Sequence, residues 1–247
     1  MRPKWKGLGS IYFKLASRLS TIFFDSVITD SVEMSKIYFN KFKAKSNIIA
    51  YGSTMIKTNS NEFLNKHNLK KNQYYLIVGR LIPDNNSYLI INSFVKSSSK
   101  KKLVIVGDVP YSDSYADNVK SLSSKKVIFT GYICSMDHLT QLYENCFGYI
   151  HGHEFGGTNP TLINALDLNC EILALNTIFN KEMLVDKSVV FFEKNIESII
   201  KSINNFEIQI NKQKELNKNF KMSIKYNWEY IANKYEELIF SIKKSNN

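Results

Sequence analysis

The chain has 247 residues, 44% of them hydrophobic, a net charge of +11 and a mean hydropathy of −0.23. These values fit a globular protein with a substantial core and exclude an intrinsically disordered chain. No apolar run is long enough to span a bilayer, and no secretory leader pattern opens the sequence. Cys134, Cys146 and Cys170 have neither metal-site nor redox-motif spacing, so a reducing, cytoplasmic setting is expected. The lysine excess favours anionic partners such as nucleotides or acidic headgroups. Zinc-finger spacing, a basic zipper and an RNA-binding strand pattern are all missing, so nucleic acid is not expected.

In chain order, Lys4 to Phe24 reads as an amphipathic helix, with Trp5, Leu8, Tyr12, Phe13, Leu15, Leu19, Phe23 and Phe24 among basic residues. The plainer reading is a helix packed on a domain surface, and the sharper one a helix lying on a membrane surface. "SVITDS" reads as a short strand whose Asp30 and Ser31 cap a helix from Val32 to Phe42. "SNIIAYGS" is another strand. Thr54 to Gln73 reads as a polar linker with a short helix around Phe63 and Leu64.

A regular rhythm follows. The apolar runs "YYLIVGR", "KLVIVGD", "KVIFTGY", "FGYIHGH", "EILALNT" and "SVVFFEK" alternate with helix candidates at Ser87 to Lys96, Tyr115 to Leu122, Met136 to Asn145, from Pro160, and at Lys181 to Val185. This alternation predicts an α/β fold, a Rossmann-like doubly wound parallel sheet covered on both faces. From Phe206 onward the tail reads as long and helical, with Trp228, Ile231, Tyr235, Leu238 and Ile239 on one stripe.

Ligands of such sheets bind at the carboxyl ends of the strands. Four strand ends here carry glycine and then a polar or aromatic residue: Gly79-Arg80, Gly107-Asp108, Gly131-Tyr132 and Gly152-His153. In "HGHEFGGTNPTLINAL", Asn159 suits an N-cap and Pro160 a first helical position, so the Gly156-Gly157-Thr158 loop precedes a helix start. Free N–H groups and the helix dipole make that a place for phosphate; the alternative is a glycine turn that serves the fold alone. Neither G-x-G-x-x-G nor a P-loop is present. Arg80 offers paired donors to a diphosphate, or else pairs with Asp84. His151 and His153 point to the same side of a strand, and a zinc reading lacks a third ligand. A rim histidine can hydrogen-bond a phosphate or a sugar hydroxyl, and Glu154 can accept from sugar hydroxyls.

The succession "LIVGRLIPDNN", "LVIVGDVPYSDSY", "VIFTGY", "YIHGHEFGGTNPTLINAL", "FNKEML" and "YNWEYIANKYEEL" resembles the family 4 glycosyltransferases of the GT-B fold, and among them the bacterial rhamnosyltransferase-like enzymes. The resemblance spans roughly Ser26 to Leu238, and "HGHEFGGTNP" is its most specific block. It implies a metal-independent, retaining transfer of a sugar, rhamnose among the candidates, from a dTDP- or UDP-sugar to a saccharide or lipid-linked precursor of a cell-surface polysaccharide. It implies no cofactor beyond the donor. By position it makes Glu154 and His153 catalytic. Arg80, Gly156, Gly157, Thr158, Asn159, Asn164, Asn180, Lys181 and Glu182 would bind the donor and its diphosphate, with Tyr132 and Ile133 beside the base.

The same resemblance divides the chain into residues 1–52, a remnant of the acceptor domain; 53–224, the nucleotide-sugar-binding Rossmann-like domain; and 225–247, a C-terminal helix packing back on the N-terminal part. Most of the acceptor domain is then expected to be absent from these residues, with three readings open: the chain is a fragment, its partner N-terminal half is a separate polypeptide, or the gene is degraded. A lipid-linked acceptor would bring the protein to the inner face of the plasma membrane. Two stretches depart from the family pattern. Asn164 stands where a glutamate usually accepts from ribose hydroxyls, and Pro83-Asp84-Asn85-Asn86 stands where a lysine often follows the arginine. A non-catalytic nucleotide-sugar-binding module is the alternative reading.

Overall fold

The computed structural model describes residues 7–53 and 55–245, apart from the side chains of Leu8 and Ser245. Its residues cluster into two compact units, Thr54–Glu154 with Thr161–Met222, and Met1–Ser53 with Phe155–Pro160 and Ser223–Asn247.

The first of these units has an α/β fold. Its six strands are those of the expected apolar runs: β3 (Tyr74–Val78), β4 (Lys102–Val106), β5 (Val127–Gly131), β6 (Gly148–His151), β7 (Ile172–Leu175) and β8 (Val190–Phe192). They form one sheet in the order β5-β4-β3-β6-β7-β8, and every pairing is parallel. β3 therefore has β4 on one side and β6 on the other, and this reversal is the topological switch point where such sheets bind ligands.

Strand periodicity divides the side chains between two faces. Tyr75 and Ile77 of β3 and Ile150 of β6 join a core with Ile90, Ile91 and Phe94 of α4 (Ser87–Lys96), Ala116 and Val119 of α5 (Ser114–Lys120), and Ile199, Ile203 and Phe206 of α9 (Ile196–Leu216). Tyr74 faces the other way, where its hydroxyl donates to Leu142 O at 2.7 Å on α6 (Met136–Asn145). The short helix expected in the linker is α3 (Glu62–Lys66), anchored by the Phe63 N–H donating to Gln141 Oε1 at 2.9 Å.

The helix expected at Lys181 to Val185 starts earlier, as α8 (Ile178–Met183), because the Thr177 hydroxyl caps it by accepting from Asn180 N. The tail is helical, in two pieces. α9 begins at Ile196, with Asn195 accepting from Ser198 N at 2.8 Å, and a second helix, α10 (Trp228–Ser245), follows a break. The break is set by Asn217, a buried residue that leaves the helix to serve as an adaptor. Its side chain donates to Glu171 Oε2 at 2.7 Å and to Ser188 O at 2.9 Å, and accepts from Ser188 N at 2.9 Å. Asn227 then starts α10, accepting from Glu229 N and Tyr230 N.

In the other unit α1 (Leu8–Phe23) lies within the expected first helix, whose Lys4–Trp5 end falls outside the described residues. β1 (Ile28–Thr29) and β2 (Asn47–Ile48) pair in parallel through α2 (Val32–Phe42), which Ser31 caps by accepting from Met34 N at 3.2 Å. Gly52 lies so close to Trp228 that an added Cβ would come 2.8 Å from the indole. Of the stripe expected on the tail, Ile231 is buried, whereas Trp228, Tyr235 and Ile239 are exposed. The stripe of α1, Ile11, Tyr12, Leu15, Leu19, Ile22 and Phe23, is exposed as well, with Phe23 at 77%. No helix among the described residues is long and apolar enough to cross a membrane.

Candidate functional site

The carboxyl ends of β3, β4 and β5 meet through glycine. Gly79 N donates to Val106 O at 3.0 Å, and Gly107 N donates to Gly131 O at 2.8 Å. Gly107 has a φ of +124°, and a Cβ there would collide with Gly79 O. Gly79 in turn leaves room for His153 and Asn85, since its Cβ would come 3.0 Å from the His153 ring and 3.2 Å from Asn85 Nδ2. Glycine at these two strand ends is thus demanded by neighbouring protein atoms.

Arg80 follows on an exposed turn. Its carbonyl accepts from Asn85 Nδ2 at 2.8 Å, while its guanidinium makes no hydrogen bond or ion pair among the described residues. The alternative pairing with Asp84 does not form. The Asp84 carbonyl instead accepts from Glu154 N at 3.0 Å, tying the residues after β3 to those after β6 across the switch point.

His151 and His153 do face the same side, with rings stacked 4.4 Å apart at 13°. His151 is fully buried, and its Nδ1 lies 3.2 Å from the Tyr149 hydroxyl, which donates to Thr161 Oγ1 at 2.9 Å. Burial, and next the neighbouring His153, hold His151 well below the usual imidazole value, so the ring is neutral. A histidine neutral only in the fold takes up its proton on unfolding below about pH 6.5, so stability declines as pH falls through that point, by up to about 1.4 kcal/mol per pH unit. His67, lowered by burial, then by Lys66 and His138, acts in the same direction. Urea midpoints at pH 7.5 and 5.5 should show the decline, and His151→Gln should flatten it. An unchanged slope in the variant would remove His151 as its source.

Glu154 is held from several sides. Its Oε1 accepts from Asn86 Nδ2 at 2.8 Å and pairs with Lys194 Nζ from beyond β8. Asn86, at a left-handed φ of 57°, uses its amide twice, also donating to Gly152 O at 2.8 Å. Asn180 is buried, and its amide donates to Leu175 O at 2.9 Å and His153 O at 3.2 Å, which fixes the chain beneath Glu154. Lys181 is exposed and Glu182 half-buried on the same short helix.

The structure thus gathers Arg80, His153, Glu154 and Asn180 at neighbouring strand ends. Tyr132 and Ile133 stand apart from them at the end of β5, an edge strand, where Tyr132 is exposed. α7 (Pro160–Asp167) starts where Asn159-Pro160 predicts, and Asn164 is half-buried in its second turn. Before it, the loop's glycines have reasons in backbone conformation and packing. Gly156 has a φ of +122°, and a Cβ on Gly157 would collide with Asp30 and Ser31. Thr158 donates its hydroxyl to Asp30 O.

Asn86 and Lys194 were missed by sequence reasoning. A signal existed for each. Asn tolerates left-handed backbone after a proline turn, and Lys194 ends an apolar run as Arg80 does. No group of three or more His, Cys, Asp or Glu suited to hold a metal is found among the described residues.

The family model described as Glycosyl transferases group 1 matches residues 59–222, more than half of the chain. An uncharacterised glycosyltransferase of Methanocaldococcus jannaschii is 26% identical over 180 residues, which covers 68% of this chain and 44% of that relative. The chain therefore spans less than half the length of that curated relative. Among solved structures, Anabaena HepE in complex with UDP and glucose matches with a TM-score of 0.76 at 13% identity, over 98% of this chain and 69% of HepE. Sucrose-phosphate synthase from Thermosynechococcus elongatus matches at 0.78 with 15% identity, over 95% and 62%. At such identities these two carry the fold, which is that of GT-B glycosyltransferases. The family match rests on the sequence itself and takes in β3 to β8 together with the Arg80 and Glu154 cluster: the chain belongs to the glycosyl transferases group 1 family.

Proposed function

We propose that this chain is the nucleotide-sugar-binding part of a glycosyltransferase that moves a sugar from a nucleoside diphosphate donor to a saccharide or lipid-linked acceptor, without a metal and with retention of configuration. The observation that carries the reading is the exposed guanidinium of Arg80 at the switch point, without a partner among the described residues, in the same group of strand ends as the anchored Glu154, in a chain of this family. As the glycosidic bond to phosphate breaks, negative charge builds on the diphosphate, and Arg80 can stabilise it without a cation. The N–H groups of Gly156, Gly157 and Thr158, just before α7, are proposed separately as an anion-binding element. Glu154, with His153, would accept from the donor sugar. Asn180 acts by holding His153, and Tyr132 with Ile133 offers a face to the base. Residues 1–52 and 225–247 would belong to the acceptor side in this proposal. Rhamnose on dTDP, or a UDP-sugar, is the proposed donor, and a cell-surface polysaccharide precursor the proposed acceptor. UDP and glucose are what HepE was solved with.

Thermal shift with UDP, dTDP and GDP tests the reading. Ligand at about 100 times its dissociation constant adds roughly 2.7 kcal/mol, or about 5–10 °C for a chain of this size. No shift with any of the three would sink the proposal. A second reading, a nucleotide-sugar-binding module without turnover, is favoured by Asn164, which brings no carboxylate to the ribose. Nucleotide binding without transfer to any acceptor, even with the complementary half supplied, would select it.

The exposed stripe of α1 supports a peripheral contact with an anionic membrane. Lys14 and Arg18 are exposed on this helix, and no Asp or Glu precedes Asp25 in the sequence. Sedimentation with phosphatidylglycerol vesicles should exceed that with phosphatidylcholine, and Leu15→Glu with Phe23→Glu should abolish it. Equal binding to both vesicle types would overturn the proposal.

A further inference from the structure

Three elements converge on a single carboxylate oxygen. Glu154 extends from the end of β6, Asn86 reaches it from the turn after β3, and Lys194 reaches it from beyond β8, past the end of β7. The Glu154 side chain is 17% exposed and that of Lys194 56% exposed. An ion pair so open to solvent adds little to folding stability, so stability does not explain its placement. Asn86 adds a second sign of purpose, since it keeps a left-handed backbone while donating both to Gly152 O and to Glu154. Both contacts on Glu154 fall on Oε1, which leaves Oε2 as the acceptor for a ligand hydroxyl.

We propose that Lys194 is a positioning residue for donor-sugar recognition, holding Glu154 oriented through Oε1 so that Oε2 accepts from the sugar. This rests on the nucleotide-sugar reading above and adds to it a group that neither the family resemblance nor the strand-end glycines single out. Its charge has a second effect. A carboxylate beside a diphosphate is a like-charge neighbour, and the ammonium of Lys194 offsets the repulsion. Glu154 touches the sugar in this scheme; Lys194 acts through it.

The test is titration calorimetry of the full chain with matched pairs: UDP and UDP-glucose, dTDP and dTDP-rhamnose, GDP and GDP-mannose. The quantity read is the ratio of nucleotide-sugar to nucleotide affinity for the nucleotide that binds. In Lys194→Ala that ratio should drop about tenfold, the size of one charge-assisted contact, and Lys194→Arg should restore most of it. The unfolding midpoint should move little in either variant, which separates positioning from a structural role. An unchanged ratio in Lys194→Ala, or a wild-type chain that binds nucleotide and nucleotide sugar equally, overturns the assignment to Lys194. Absence of nucleotide binding in the wild type removes the underlying reading itself.

Discussion

Gly107→Ala should lower the thermal midpoint of this chain by about 10 °C, the largest effect expected of any single methyl group here. Two costs combine. The residue has a φ of +124°, where an L side chain is strained, and its Cβ would collide with Gly79 O. Gly79 N is itself bonded to Val106 O, so the carbonyl cannot retreat without breaking the contact between β3 and β4. Together these place the loss at about 3–5 kcal/mol, in the range where a specific steric mechanism must operate. Gly131→Ala is the matched control. Its φ is +70° but nothing lies within 4 Å of its Cβ position, so the loss should be about 1–2 kcal/mol. Calorimetric scans of both variants check this. Equal losses would mean that backbone conformation alone, and not the contact with Gly79, makes glycine necessary at position 107.

Arg80→Ala should weaken nucleoside diphosphate binding about 10- to 100-fold while leaving the unfolding midpoint of the free protein nearly unchanged. The guanidinium has no partner among the described residues, and Arg80 is exposed, so truncation leaves no buried group unpaired. What disappears is a charge-assisted, two-pronged contact to phosphate, worth about 1.5–3 kcal/mol. Arg80→Lys should recover part of the affinity, because a lysine keeps the charge and loses the fork. The comparison also bears on mechanism. If Arg80 serves the leaving group, its loss should reduce affinity for the diphosphate more than for the corresponding nucleoside monophosphate. Undiminished binding of UDP, dTDP or GDP in Arg80→Ala would rule out the diphosphate role.

The strand-end logic explains how much of the site was legible before the fold was known. "YYLIVGR" and "FGYIHGH" place Arg80 and His153 at the carboxyl ends of parallel strands, and Asn159-Pro160 sets the first turn of α7. Each depends on a pattern a few residues long. The adaptor residues could not be read that way. Asn217 ends α9 to satisfy Ser188 and Glu171, which are distant in sequence, and nothing in the helical periodicity around it announces a stop. The exposed stripes of α1 and α10 show the converse, since periodicity identifies an apolar face without saying what covers it.

By itself, the sequence determined the alternation of apolar runs and helices, hence the parallel α/β class, and the family to which residues 59–222 belong. These follow from side-chain periodicity and from motifs local in the chain. The tertiary structure decided the strand order that places β3 beside β6, the stacking of His151 on His153, and the meeting of Asn86 and Lys194 on Glu154. It also decided why Gly107 and Gly157 must be glycine, since in each case the atom that excludes a Cβ comes from a distant segment. Such pairings depend on which strand ends become neighbours, and only the packing of the whole sheet brings them together.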